Sequence, residues 1–218
     1  MKVIEFIGMP GSGKTYTLKE IEKCDHDFYC VETFLFYSVQ QRQPKVLLVL
    51  RALVYAICNF RLLKLLFKLP TPGLMISDKL SLLFFFSNFS FFLKKRHSYQ
   101  SIIFDQGLLQ KIWFYFYSRG VNLPSESIET IRMIIHTVLP KGTDYKAVLF
   151  LTPAEIAADR AIMRNGDCFA DHLQKEDLIS MYNNSYRDKY SIEKITAGNL
   201  CVYTEDSNII SLLSTLKK

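Results

Sequence analysis

Residues Gly8-Met9-Pro10-Gly11-Ser12-Gly13-Lys14-Thr15 fit the pattern G-x-x-x-x-G-K-[ST] at every fixed position. The chemistry this spacing permits is the gripping of a nucleotide's phosphate tail. Glycines reach dihedrals closed to other residues, so consecutive backbone N–H groups can curl around phosphate oxygens. A helix starting at the end of such a loop adds unpaired donors and a partial positive charge. Lys14 is placed to reach the β- and γ-phosphates, and Thr15 to offer its hydroxyl to Mg²⁺. Gly8, Pro10, Gly11, Ser12, Gly13, Lys14, Thr15 and Tyr16 are therefore the candidate nucleotide-binding residues. The competing explanation is a chance glycine-rich turn, and the flanking residues decide against it. Val3-Ile4-Glu5-Phe6-Ile7 reads as a strand before the loop, and Tyr16 to Lys23 reads as a helix after it.

Three other sites carry side chains suited to phosphoryl transfer, which needs a clamped nucleotide, a held metal, an acceptor in line and neutralised charge. Asp105 follows the apolar run Ile102-Ile103-Phe104, where a carboxylate would hold Mg²⁺ directly or through water; the alternative is a helix cap. Glu32 closes the run Asp27 to Val31, where a carboxylate could take the proton of an acceptor hydroxyl; the alternative is a loop-edge acid. Arg160 and Arg164 lie at i, i+4 just before Asn165-Gly166-Asp167, a pattern suited to a lid carrying guanidinium groups to the phosphate. They would otherwise be a solvated face pairing with Glu155 or Asp159.

The elements that must position these groups are legible as alternating strands and helices. Strands are expected over residues 3–7, 27–33, 101–105, 145–151 and 200–204, as near-continuous apolar runs typical of buried parallel strands. Helical patterns occupy about residues 14–24, 125–138, 154–165, 173–190 and 207–216. That alternation implies right-handed βαβ units in a three-layer α/β fold. Ligands then bind beyond the carboxyl ends of the strands, where Glu32, Asp105 and Gln106 fall.

Residues 34–100 interrupt the scheme. Lys45 to Leu69 is strongly apolar, with Arg61, Lys64 and Lys68 on one helical face. Pro70-Thr71-Pro72-Gly73 breaks the chain, and Leu80 to Leu93 is a second apolar run rich in Phe. Three readings compete: a helical hairpin packed on the sheet and covering an apolar substrate pocket, a membrane-surface element spanning about residues 45–93, and a transmembrane span. The second run is short for a span and the first is broken by charge. With no repeat or low-complexity linker, the expectation is one domain over residues 1–218, with 34–100 as an insertion or substrate cap.

Composition bounds the partners without choosing among them. A 218-residue chain with 49 % hydrophobic and 22 % charged residues is a folded globular protein. A net charge of +6 suits an anionic partner, whether nucleotide, polynucleotide or acidic membrane. Five cysteines with no C-x-x-C signal neither a disulfide framework nor a zinc knuckle. Cys168 with Asp171-His172 is a weak metal suggestion. The phosphate loop begins so near Met1 that a cleavable signal peptide has no room. The expected setting is a reducing, ATP-containing compartment, the cytoplasm, with membrane association left open.

In chain order, Gly8–Thr15, Glu32, Ile103-Phe104-Asp105-Gln106 and Leu151-Thr152-Pro153-Ala154-Glu155 with Arg160 and Arg164 resemble the P-loop deoxynucleoside and thymidylate kinases. The resemblance covers most of the chain outside residues 34–100, and only the phosphate loop is specific by itself. It implies a five-stranded parallel sheet of order 2-3-1-4-5, ATP and Mg²⁺ as cofactors, and often a homodimer. It further implies Glu32 as hydroxyl-activating base, Asp105 as metal-proximal acid, and Arg160 and Arg164 as lid residues. Gln106 stands where the family usually has arginine, and no arginine accompanies Glu32. Both departures favour an uncharged alcohol as acceptor, such as a nucleoside, a sugar or a lipid-like molecule. The leading expectation is a Mg-ATP-dependent phosphotransferase acting on a small-molecule hydroxyl. The alternatives are a membrane-surface nucleotide switch with slow hydrolysis and, with no basic–aromatic groove to favour it, a polynucleotide kinase.

Overall fold

A computed structural model describes residues 1–32, 45–69, 76–96, 98–164 and 173–217. Its strands are β1 (Lys2–Ile7), β2 (Phe28–Val31), β3 (Ser101–Phe104), β4 (Asp144–Leu151) and β5 (Leu200–Thr204). They form one sheet of order β2-β3-β1-β4-β5 with every neighbouring pair parallel, as the resemblance implies. The helices are α1 (Lys14–Cys24), α2 (Lys45–Cys58), α3 (Phe60–Lys68), α4 (Ile76–Lys95), α5 (Leu108–Tyr117), α6 (Ile128–Val138), α7 (Ala154–Met163), α8 (Lys175–Ser185), α9 (Lys189–Ile195) and α10 (Ile209–Lys217).

Strand β1 is central because its side chains are apolar on both faces, so only a position covered from both sides buries them. Val3 to Ile7 are all buried. Alternation along the strand sends Ile4 and Phe6 to one face, against Leu18 and Ile21 of α1 and Leu212 and Leu216 of α10. Val3 and Ile7 point to the opposite face, into the larger core that includes α3, α4, α5 and α6. Glu5 shares that second face and is the one acid inside the strand. The parallel registry ends β1, β2 and β3 on one edge, which places the phosphate loop, Glu32 and Asp105 there.

Four expectations change on contact with the structure. Helix α5 was not among the expected helices. The single helix expected over 173–190 is α8 and α9 joined by a 3₁₀ turn, Tyr186–Asp188. Strand β2 ends at Val31, so Glu32 stands just beyond it. Within 34–100 the described residues form three helices, not two arms of a hairpin, because Asn59 departs from helical geometry between α2 and α3. Helix α4 is long and apolar enough to cross a membrane by length and composition. Its Leu82, Phe86, Phe89 and Leu93 are nevertheless buried in the core, and the Phe89 ring lies 4.6 Å from that of Phe104 on β3. Those side chains are satisfied by protein, which accounts for their apolarity without a bilayer.

Candidate active site

The phosphate loop leaves β1 at Gly8 and enters α1 at Lys14. Gly11 has φ of +80°, a left-handed conformation costly for any residue with a side chain. A Cβ there would also fall 2.0 Å from the Ala157 carbonyl oxygen of α7, so glycine is required on two counts. Behind the loop, Thr152 Oγ1 donates to the Ser12 carbonyl at 3.1 Å, tying the turn after β4 to the loop. Lys14 is only 7 % exposed. Its ammonium donates to the Gly8 and Met9 carbonyls, each at 2.8 Å, and to Ser12 Oγ at 3.2 Å. The loop thus holds its own cation at its carbonyls. At the helix start, Thr15 Oγ1 donates to Asp105 Oδ2 at 2.9 Å. Two hard oxygen donors, one at the start of α1 and one just beyond β3, meet beside the loop, the donor set that suits Mg²⁺ shared with phosphate oxygens. Among the described residues no group of three or more His, Cys, Asp or Glu forms an all-protein metal cage.

Two cavities flank the loop and share its walls. The larger, about 580 Å³, lies between Gly8–Tyr16 and α5, bounded by Gln106, Gln110, Lys111, Phe114, Tyr117 and Arg164. The smaller, about 290 Å³, lies toward the end of β5 and includes Tyr16, Arg160, Tyr203 and Glu205. Arg160 and Arg164 are therefore divided between the two spaces. Arg160 pairs with Glu205 at 2.7 Å, not with Glu155 or Asp159, while Arg164 faces the larger cavity. Asn165-Gly166-Asp167, Cys168, Asp171 and His172 lie outside the described residues. Glu32 pairs with Lys19 of α1 at 3.5 Å and, like Asp105, is not part of either cavity wall. No described residue between 45 and 96 borders the larger cavity; α2 packs on α4, and α3 on α6 and α4.

A second layer of residues that the sequence reading did not single out fixes the loop from behind. Glu5 is fully buried, and its Oε1 accepts from the Gln110 and Gly107 amides at 2.6 and 3.1 Å. Its Oε2 accepts from the Leu109 amide at 3.2 Å and the Tyr145 hydroxyl at 2.7 Å. The carboxylate so caps α5, whose first amides have no intrahelical acceptor. Burial pushes the Glu5 carboxyl above its ordinary value, opposed by the hydrogen bonds from Gln110, Tyr145, Leu109 and Gly107. Helix α5 then presents Gln110, whose Oε1 accepts from the Gly8 amide at 2.8 Å. Gly107 has no room for a side chain: a Cβ would come within 2.7 Å of Glu5 Cδ. The signal in the sequence was Glu5 itself, an acid in the middle of a buried strand that must find donors. Lys111, one residue on, lies near the rings of Phe85, Phe114 and Tyr115, and burial lowers its ammonium below the usual lysine range.

Replacing Gln110 by alanine removes the acceptor of the Gly8 amide at the first residue of the loop. Nucleotide affinity should fall about tenfold, the value of one buried hydrogen bond that orders a binding loop. Calorimetric titration of the variant with ATP reads this directly; unchanged affinity would mean that Gln110 does not order the loop.

No family model and no curated protein matches this chain. Solved structures do. Deoxyadenosine kinase from M. mycoides with bound dATP superposes with a TM-score of 0.53 at 16 % identity, over 99 % of this chain and 99 % of that one. The same kinase with bound dCTP gives 0.52 at 17 % identity, over 100 % and 99 %. Its structure with the products dCMP and a flexible dCDP gives 0.52 at 15 % identity, over 100 % and 95 %. The likeness runs the whole length of the chain, including the apolar helices. This chain therefore has the fold of the P-loop deoxynucleoside kinases.

Proposed function

We propose that the protein is a Mg-ATP-dependent phosphotransferase that moves the γ-phosphoryl group to a hydroxyl of a small, uncharged, nucleoside-like molecule. The observation carrying this reading is the meeting of Lys14, Thr15 and Asp105 at a glycine loop with a cavity on either side. The triphosphate occupies the loop. Its base extends into the smaller cavity beside Tyr203 and Arg160, and the acceptor enters the larger one beside Gln110 and Phe114. Thr15 and Asp105 would hold Mg²⁺, which when bound neutralises charge on the transferring phosphate. Lys14 exchanges its bonds to the loop carbonyls for phosphate oxygens, and the α1 amides bind the remaining charge. Arg164 approaches the same space from the end of α7. Gln106 offers a neutral amide at the cavity wall, which suits an acceptor without a phosphate of its own. The deoxyadenosine kinase neighbours support a nucleoside-like acceptor.

Glu32 is the proposed base; it stands one residue beyond β2, outside the walls of the larger cavity, and acts by leaving its pair with Lys19 to reach the acceptor hydroxyl. Removal of its charge in Glu32→Gln should slow transfer by on the order of 10²-fold while leaving ATP affinity intact. Full activity in that variant would remove Glu32 from the mechanism. A screen of nucleosides, nucleotides, sugars and polyprenols with ATP and Mg²⁺ identifies the acceptor. If none raises ATP turnover, slow hydrolysis by a nucleotide switch becomes the better description.

A further inference from the structure

Helix α2 presents an apolar stripe to solvent. Leu50, Leu53, Val54 and Ile57 are 52 %, 55 %, 58 % and 78 % exposed, and they fall at i, i+3, i+4 and i+7. That spacing puts them within an arc of about 100° on one face. Tyr55 and Ala56 point the other way and pack on the core, so the stripe is the outer face of a docked helix. Next along the chain, beyond the break at Asn59, α3 exposes Phe60 and Phe67 together with Arg61, Lys64 and Lys68. Leu62, Leu65 and Leu66 on the inner side of that helix are buried, so the cations are fixed outward. Lys64 sits 4.9 Å over the Phe60 ring, and Lys79 sits 5.3 Å over that of Phe67.

The sequence interval that contains this stripe carries charge of one sign. Between Glu32 and Asp78 the sequence contains no Asp or Glu, whereas Arg42, Lys45, Arg51, Arg61, Lys64 and Lys68 all fall within that interval. Asp78 is itself paired with Arg119 at 2.7 Å. An isolated exposed leucine needs no explanation, but a four-residue apolar stripe followed along the chain by exposed phenylalanines and the exposed cations Arg61, Lys64 and Lys68 does.

We infer that the outer face of α2 and α3 docks on an anionic lipid surface, with Leu50, Leu53, Val54 and Ile57 entering the acyl boundary and Arg61, Lys64 and Lys68 meeting phosphate headgroups. The chemistry fits a helix lying in the interface plane, apolar on one side with flanking cations. Charge complementarity selects this occupant over a second copy. A second copy would bring a second set of the exposed cations Arg61, Lys64 and Lys68 to the contact, whereas anionic headgroups neutralise them. A polynucleotide would satisfy the cations but leave the aliphatic stripe in water. The docking face is separate from the phosphate loop and does not depend on the proposed phosphotransfer.

The test uses the full-length protein and extruded vesicles of phosphatidylcholine, with and without 30 mol % phosphatidylglycerol (~0.3 mole fraction, enough for a surface potential of tens of millivolts). Co-sedimentation at low salt is expected with the anionic vesicles and not with phosphatidylcholine alone, and it should weaken as salt rises. Each cation removed should cost roughly fivefold in partitioning, so the double variant Lys64→Glu/Lys68→Glu should bind at least about tenfold less. Ile57→Asp should lose binding to a similar extent. All three positions are exposed, so melting temperature and ATP affinity should stay at wild-type values, which separates this result from any failure of the catalytic reading. The inference is overturned if vesicles fail to bind at low salt, or if binding survives these substitutions. It is equally overturned if sedimentation velocity shows a dimer that Ile57→Asp dissolves.

Discussion

Changing Lys14 to alanine should lower phosphoryl transfer by about 10²–10³-fold at saturating ATP, the usual effect of removing one preorganised donor from a developing negative charge. The side chain is buried against the loop and held by two backbone carbonyls, so its ammonium is stored beside the phosphate site before nucleotide arrives. Once nucleotide has drawn it from those carbonyls onto the phosphate oxygens, it stabilises the charge that develops on transfer, and that is why its loss falls on the rate. Lys14→Arg should not restore activity, since a planar guanidinium cannot occupy the space of a compact ammonium between the Gly8 and Met9 carbonyls. The melting temperature of Lys14→Ala should change little, because the bonds to Gly8, Met9 and Ser12 lie within the loop. Steady-state transfer to the best acceptor from the screen measures the effect; retention of more than half the wild-type rate would mean that this lysine does not contact the reacting phosphate.

The second large effect is on stability. Glu5→Ala leaves four buried donors without their acceptor: the amides of Gly107, Leu109 and Gln110 and the hydroxyl of Tyr145. Each such group costs roughly 1–3 kcal/mol when stranded, offset in part by relief of a desolvated carboxyl, so a net loss of about 4 kcal/mol is expected. For a chain of this size that lowers the melting temperature by roughly 10 °C. The pH dependence has a definite sign. Burial raises the folded-state value of Glu5 above its ordinary 4.5. Folding therefore favours the protonated form, and this group's contribution is greatest below pH 4.5 and declines as pH rises through 4.5 toward the folded value. Glu5→Ala should flatten that part of the stability curve. Calorimetry across the range checks both statements, and a variant within 1 kcal/mol of wild type would show that α5 does not need its carboxylate cap (roughly the value of a single cap).

The strands and the phosphate loop were legible because their physics is local. Five apolar runs bounded by turns gave the strands, and Gly8–Thr15 carries its function in its own spacing. Asp105 was legible for the same reason, standing directly after β3, where its contact with Thr15 follows from the sheet. Helix α5 was not. Leu108–Tyr117 is polar only at Gln110 and Lys111 and is otherwise aliphatic and aromatic, a short apolar run whose composition does not tell a buried strand from a core helix. What makes it a helix is tertiary: Glu5, about a hundred residues earlier, caps its first turn. Gln110 was invisible for the same reason, as its partner is a loop amide and not a sequence neighbour. The apolar interval 45–93 could be recognised as unusual but not apportioned. Only packing separates the buried Phe86 and Phe89 from the exposed Leu53 and Ile57. The two arginines of α7 illustrate a further limit: spacing placed Arg160 and Arg164 on one helix face, while the cavity walls on either side of the loop divide them.

The central claim is that the loop from Gly8 to Thr15 grips a nucleotide triphosphate with help from Thr15 and Asp105. Calorimetric titration of the wild-type protein with ATP, with and without Mg²⁺, tests it most directly. The account predicts saturable one-to-one binding that Mg²⁺ strengthens and that Asp105→Asn makes indifferent to the metal. Heats no different from dilution in both titrations would contradict it.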